Sequence, residues 1–209
     1  MSAKPASQEH AATPGIPDAT PAGRPEVVVR RLRPTDSIPE LTELLHRAYA
    51  KQTAMGLHAL ASHQSPEVTR SRVSKGECFV AVASERAPEG VRERLVGTIM
   101  FQEPAWGKGP RWFQRPDVCN FSQFAVEPSM QGSGIGLLLL EAVERRAAEL
   151  GFRELALSTA EPDANLVRFY RNRGFRDVEH YDWGVTNYTS LIMSKALPHG
   201  AGTNPDVAR

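Results

Sequence analysis

The sequence predicts an α+β fold on a mixed, predominantly antiparallel sheet with a central parallel pair. Three observations lead there. The C-terminal half alternates strand, helix, strand, helix, and a strand that returns to its own sheet through a helix lies parallel to its predecessor. In the middle of the chain two apolar strand patterns, residues 78–84 and 95–102, flank the polar, turn-rich run ERAPEGVRER, which is a hairpin signal and therefore an antiparallel one. Two helical patterns end alike, in Leu150-Gly151-Phe152 and Arg173-Gly174-Phe175, each with Gly where a left-handed cap is required and Phe able to fold back on the last turn.

Taken in order, residues 1–25 are mostly Ala, Pro, Thr, Gly and Ser with almost no large apolar side chain, so they cannot offset ordering entropy and are expected to be a disordered tail. Residues 26–32 (EVVVRRL) read as a strand. Residues 38–50 carry apolar side chains at helical spacing behind a cap at Asp36 or Ser37. A second helix starts at Pro66, where Ser65 caps and Pro at the first position costs no hydrogen bond, and it stops at Gly76. After the hairpin, residues 104–117 hold Pro, Gly and Trp in a long connector, the kind of loop that often carries function. Then come a strand over 118–126 (VCNFSQFAV), a helix over 134–150, a strand over 154–158, a helix over 164–173, and strands near 176–183 and 188–194. Residues 198–209 repeat the tail composition and are expected to be flexible. That leaves 26–197 as one domain, the expected count for a chain of 209 residues with 41% hydrophobic content.

Charge narrows the function classes. The net charge is +1, from 25 basic and 24 acidic residues spread along the chain, so neither a nucleic-acid stripe nor a membrane-seeking face is expected. No apolar run approaches the roughly 20 residues of a spanning helix. Cys78 and Cys119 sit in apolar stretches without metal-ligand spacing, which suits reduced thiols. With no apolar signal-peptide core, the cytoplasm is the expected compartment. The histidines, among them His46, His58, His63 and His180, show no spacing that sets two ligands on one helix face, so no metal is expected.

The chemistry-bearing stretch is Gln131-Gly132-Ser133-Gly134-Ile135-Gly136, between an apolar strand and an amphipathic helix. Successive glycines free the backbone to turn consecutive N–H groups onto an anion at the positive end of a helix, which makes a phosphate cradle. It is neither a dinucleotide fingerprint, which needs a small residue at Leu137, nor a P-loop, which needs Lys then Ser or Thr.

Gln-x-x-Gly-x-Gly behind Ala125-Val126-x-Pro128 resembles the coenzyme A pyrophosphate motif of the GNAT superfamily of acyl-CoA N-acyltransferases, and residues 165–175 (NLVRFYRNRGF) resemble its second motif, a helix with a Tyr shortly before Gly-Phe. The order of elements from Val27 to Leu197 is similar to that family's fold, which implies helices on both faces of the sheet. The resemblance implies acetyl-CoA as acyl donor, direct transfer of acetyl to a primary amine of a small molecule, and no metal. It implies that the backbone of Phe124, Ala125 and Val126 pairs with the pantetheine arm as an added strand. It further implies that Gln131, Gly132, Ser133, Gly134, Ile135 and Gly136 hold the pyrophosphate, that Asn165 is a further coenzyme contact, and that Tyr170 is the acid beside the sulfur. Tyr170 would be protonated at neutral pH, since a free phenol has a pKa near 10, though the same position fits a core residue beside Leu166 and Val167.

Where many relatives carry a basic Glu before the motif, this chain has Ser122. Glu77, Glu103 and His180, or a water relayed through Ser122 or Gln123, stand as alternatives for the base. Trp106, Trp112 and Phe113, with Tyr49, Met55 and Leu57, either wall the acceptor cleft or cover the sheet; Trp183, Asn187 and Tyr188 fall at its expected rim. Two other functions compete: an acyl-CoA sensor without turnover, favoured by Ser122, and an acetyltransferase of a protein amine. C-terminal edge strands make a homodimer an option.

Overall fold

In a computed structural model describing residues 26–87, 90–104 and 107–198, the strands are β1 (Glu26–Arg31), β2 (Glu77–Ala87), β3 (Gly90–Gln102), β4 (Val118–Val126), β5 (Glu154–Ala160), β6 (Arg176–Tyr181) and β7 (Ser190–Ala196). They form one sheet in the order β1-β2-β3-β4-β5-β7-β6. Every adjacent pair is antiparallel except β4 with β5, the parallel pair expected from the strand-helix-strand order. The N-terminal tail, Trp106 and residues 199–209 lie outside the described residues.

The helices are α1 (Ile38–Ala54), α2 (Pro66–Val73), α3 (Ile135–Glu149) and α4 (Ala164–Arg171). Ser37 caps α1 by accepting from Glu40 N, and Ser65 caps α2 by accepting from Val68 N. Each hydroxyl satisfies one of the amides that a helix start leaves without a carbonyl. α1 runs one turn beyond the expected Ala50. Its last residues, Lys51 to Ala54, present no apolar stripe, so periodicity carried no signal there.

Both faces of the sheet are covered because the inner strands are apolar on both sides. On β2, Phe79, Ala81 and Ala83 join α3 and α4 in the larger core, with Leu139, Val143, Leu157 and Phe175, whereas Cys78, Val80 and Val82 turn to α1 through Leu41 and Leu44. α3 and α4 close with the expected caps: Gly151 and Gly174 have φ of +80° and +84°, and Phe152 N and Phe175 N donate back to Ala147 O (3.0 Å) and Tyr170 O (3.2 Å). Phe175 is thereby buried in the core.

The hairpin departs from expectation. The run ERAPEGVRER is strand almost throughout, with Ser84 opposite Glu93, Glu85 opposite Arg92 and Ala87 opposite Gly90. Residues 90–93 are all exposed. A strand whose residues 90–93 are all exposed needs no apolar alternation, so the polar composition of the run read as a loop.

Candidate active site

β4 and β5 separate halfway along their length. Their register runs from Val118 opposite Glu154 to Phe121 opposite Leu157 and stops there, although β4 continues to Val126 and β5 to Ala160. The second half of β4 therefore keeps β3 on one side and has an open edge on the other. Glu127 N donates to Val96 O (2.9 Å) on the β3 side. Alternation along the strand then turns the amides of Phe124 and Val126 toward the open edge.

A bulge lies where the strands part. Gln123 has φ of +50°, the one non-glycine residue with positive φ among those described, and the pairing with β3 slips between Thr98 opposite Ala125 and Met100 opposite Ser122. The extra residue resets the alternation. Cys119, Phe121, Phe124 and Val126 all pack on the α3 and α4 face, whereas Gln123 and Ala125 turn to α1. What holds Gln123 is a buried polar chain: Gln64 Nε2 donates to Gln123 Oε1 (3.0 Å) and to Thr69 Oγ1 (2.8 Å), and Arg72 Nη1 donates to Gln64 Oε1 (2.6 Å).

The glycine loop follows β4 and opens α3. Gly132 and Gly134 have φ of +79° and +94°, a region costly for a residue with a Cβ. The first helical donation is from Leu137 N to Gly134 O (3.0 Å), so the amides just before it lie at the helix end without an intrahelical acceptor. Ser133 Oγ donates to Met130 O (2.5 Å) and Gln131 Nε2 to Val126 O (3.3 Å), which tie the loop to the segment it leaves. A Cβ at Gly136 would lie 3.2 Å from Phe124 Cζ, so the helix start packs closely on β4. Ile135 is buried in the core, and only its backbone is available to a ligand.

One cavity of about 1040 Å³ joins these parts. Gln131, Gly132, Gly134 and Gly136 border it, as do residues 122–126, Asn165 and Tyr170; Ser133 and Ile135 do not. Tyr170 stands among aromatic rings, with Phe169, Phe175 and Phe121 at centroid distances of 5.3, 5.7 and 6.1 Å. Burial pushes its phenol well above the usual value, with smaller upward contributions from Tyr49 and Asp163. The core and cavity readings of Tyr170 are thus both satisfied by one side chain. Asn165 Oδ1 accepts from Arg168 Nη2 (2.6 Å). Asp163, which sequence reasoning did not assign, caps α4 by accepting from Leu166 N (3.1 Å), and its other oxygen accepts from Gln52 Nε2 (3.4 Å).

Of the base alternatives, Glu77 binds Arg146 and Arg31, and His180 pairs with Glu161 on the edge strand β6; neither borders the cavity. Glu103, Ser122 and Gln123 do, with Ser122 Oγ donating to Gln102 Oε1 (3.0 Å). The aromatic residues divide as well. Tyr49, Leu57, Phe113, Trp183 and Tyr188 border the cavity, but Trp112 covers the sheet, with the guanidinium of Arg115 4.3 Å from its ring, and Met55 points elsewhere. Asn187 spans the far side: it accepts from His58 N and donates to Gly56 O, both at 2.8 Å, which fastens the β6–β7 connection onto the segment after α1. Gln64 and Arg72 went unnoticed in the sequence because a lone Gln and one Arg among many carry no spacing. Among the described residues no group of His, Cys, Asp and Glu is arranged to hold a metal, and no helix is long and apolar enough to cross a membrane.

Known proteins share this fold. A curated IAA acetyltransferase of Azospirillum brasilense is 35% identical over 72 residues, which are 34% of this chain and 47% of that protein, so the match spans about half of the relative. Among solved structures, the ribosomal-protein-S18-alanine N-acetyltransferase from Escherichia coli superposes with a TM-score of 0.58 at 18% identity, covering 86% of this chain and 98% of that one. A GNAT family acetyltransferase from Elizabethkingia anophelis with acetyl-CoA bound gives 0.54 at 16% identity, covering 82% and 98%. At these identities the two structures testify to the fold alone. The model of the Acetyltransferase (GNAT) family matches residues 38–175, well over half of the sequence, and the chain belongs to that family.

Proposed function

We propose that this protein transfers an acetyl group from acetyl-CoA directly to the primary amine of a small molecule. The observation that carries the reading is the continuity of one cavity from the glycine loop, along the open edge of β4, to the phenol of Tyr170. In this reading the amides of residues 132–136 bind the pyrophosphate at the positive end of α3, and the side chains of Gln131 and Asn165 border it. The edge at Phe124, Ala125 and Val126 takes the pantetheine arm as a strand. The coenzyme supplies a thioester, whose carbonyl oxygen gains charge as nitrogen attacks and is met by an amide of that edge.

The amine must lose a proton and the departing sulfur must be stabilised. Glu103 is the carboxylate on the cavity wall that no capping amide occupies, and it takes the amine proton. Tyr170 donates a hydrogen bond to the sulfur as the C–S bond breaks and the C–N bond forms. Its raised pKa keeps the phenol protonated throughout. The small-molecule acceptor draws support from Asn187, which fastens the β6–β7 connection onto the segment after α1.

Thiol release from acetyl-CoA across an amine panel, with the acetylated product read by mass, tests the proposal. Turnover is expected with at least one amine. Binding of coenzyme without turnover of any acceptor would instead favour an acyl-CoA sensor, the reading to which Ser122 points, with its hydroxyl engaged by Gln102 rather than available as part of a base. Glu103→Gln is expected to lower kcat/KM roughly 100-fold at neutral pH with coenzyme affinity kept; unchanged turnover would remove Glu103 from the mechanism.

A further inference from the structure

We infer that the acceptor carries a carboxylate as well as its amine, and that Arg72, which shares the cavity wall with Lys75 and Lys108, is the group that recognises it. The inference rests on the proposed acetyl transfer and names the class of amine.

Arg72 stands at the end of α2 and reaches the cavity from the α1 side of the sheet, opposite the face that carries α3 and the glycine loop. It is half-buried, and burial lowers its pKa, yet a guanidinium stays charged at any physiological pH. Elsewhere in the chain, the partly buried Arg30, Arg115 and Arg146 have carboxylate partners in Asp36, Asp117 and Glu77, whereas the partly buried Arg173 has the ring and carbonyl of Phe169 instead. Arg72 has none among the described residues; Gln64 Oε1 takes one of its five donors. A desolvated cation without an anion is costly, and it persists where an anion arrives with the ligand. Lys75 and Lys108 border the same cavity and likewise have no carboxylate partner among the described residues.

The anions on the wall do not cancel this charge. Asp163 is committed to the cap of α4 and to Gln52, and Glu103 is the proposed proton acceptor, so it faces the ammonium end of the same acceptor. Of the remaining cations on the wall, Arg173 lies over the ring of Phe169 on α4, 3.5 Å from its centroid, and Lys51 belongs to the last turn of α1. An ammonium directed to Glu103 and a carboxylate held in the fork of Arg72 describe an amino acid in the broad sense. The apolar walls from Leu57, Phe113 and Trp183 leave room for an apolar body between the two charges.

The test uses the full chain saturated with coenzyme A and titrates, by calorimetry, a panel of N-acetyl amino acids against their primary amides. Acids are expected to bind at least about tenfold more tightly than their amides, the size of a charge-assisted pair over a neutral one. Arg72→Gln is expected to abolish that preference and Arg72→Lys to restore part of it. Amides that bind as well as acids, acids that bind nowhere in the panel, or a preference that survives Arg72→Gln would each overturn the inference. Absence of heat with coenzyme A itself would count against the proposed function, and the comparison of acids with amides on the free chain would still decide the role of Arg72.

Discussion

The two halves of the cavity are built on different principles. On the α3 side the wall is mostly backbone: an open strand edge at Phe124 to Val126 and a glycine loop with left-handed turns at Gly132 and Gly134. On the α1 side it is side chains gathered from distant positions, with Arg72 and Gln123 joined from behind by the buried Gln64 and with Tyr49, Phe113 and Tyr188 on the same wall. A backbone site depends on residue types that permit a conformation, so it writes itself into sequence as glycines at fixed spacing. A side-chain site depends on where the fold brings ordinary residues, so it leaves no local pattern. The first suits a ligand common to a whole family and the second an acceptor that differs between members.

The sharpest way to break this division is at the residue where the halves meet. Tyr170→Phe removes one hydroxyl from a side chain packed between Phe169 and Phe175 and leaves the rings in place. If the phenol serves the departing sulfur, kcat falls roughly 100- to 10,000-fold while the dissociation constant for coenzyme A, measured by calorimetry, changes little. Turnover equal to the parent enzyme would place Tyr170 in the core alone.

Gly134→Val tests the backbone half. A β-branched residue at φ of +94° is strained by about 1–2 kcal/mol, and relief requires the loop to move, so coenzyme affinity is expected to fall roughly tenfold or more. Nothing stands within 4 Å of the site a Cβ would occupy, so packing does not add to the effect. Kd unchanged to within a factor of two would argue that these amides do not meet the pyrophosphate.

Legibility followed the same boundary. The glycine loop, the two Gly-Phe caps, a cap at Asp36 or Ser37, the cap at Ser65 and the parallel pair were readable because each is a local rule applied to a few adjacent residues. The bulge at Gln123 was not, because a Gln in an apolar strand reads as one more alternating position and the side chain it bonds, Gln64, is 59 residues away. Glu77 and His180 were reasonable bases by position at strand ends, but pairing with Arg146 and Glu161 is a tertiary fact. Asp163 carried no signal in sequence, and its buried carboxylate on the cavity wall became visible only once α4 was placed against Gln52.

Gln64→Leu probes the side-chain half with a smaller effect. It strips a hydrogen-bond partner from Arg72, Thr69 and Gln123 at once, all of them wholly or partly buried. The loss of stability is expected to be about 1–3 kcal/mol, read as a lower denaturant midpoint with unchanged slope. KM for the acceptor should rise several-fold and Kd for coenzyme should stay, since the glycine loop takes no support from this chain. An equal change in both would mean that the halves are mechanically one.

The smallest expected effect is an absence, in the dependence of rate on pH. Free amine increases tenfold per pH unit below its own pKa near 10, so kcat/KM should climb through the neutral range. An ordinary phenol acting as donor would begin to ionise by pH 9 to 10 and turn the profile down. Tyr170 is held protonated by burial well beyond that, and desolvation pushes the half-buried Tyr49 up to about 12. For both groups the folded state keeps a proton that the unfolded chain gives up near pH 10, so the stability they contribute is intact below pH 10 and declines between there and the folded values. Up to about pH 9.5, therefore, neither tyrosine weakens the fold. In that window, which lies below the pKa of the amine, the profile should go on rising and should not descend. A downturn below pH 9.5 that Tyr170→Phe abolishes would mean that the phenol titrates in contact with water, and the dry aromatic setting from which its role was argued would not describe the working enzyme.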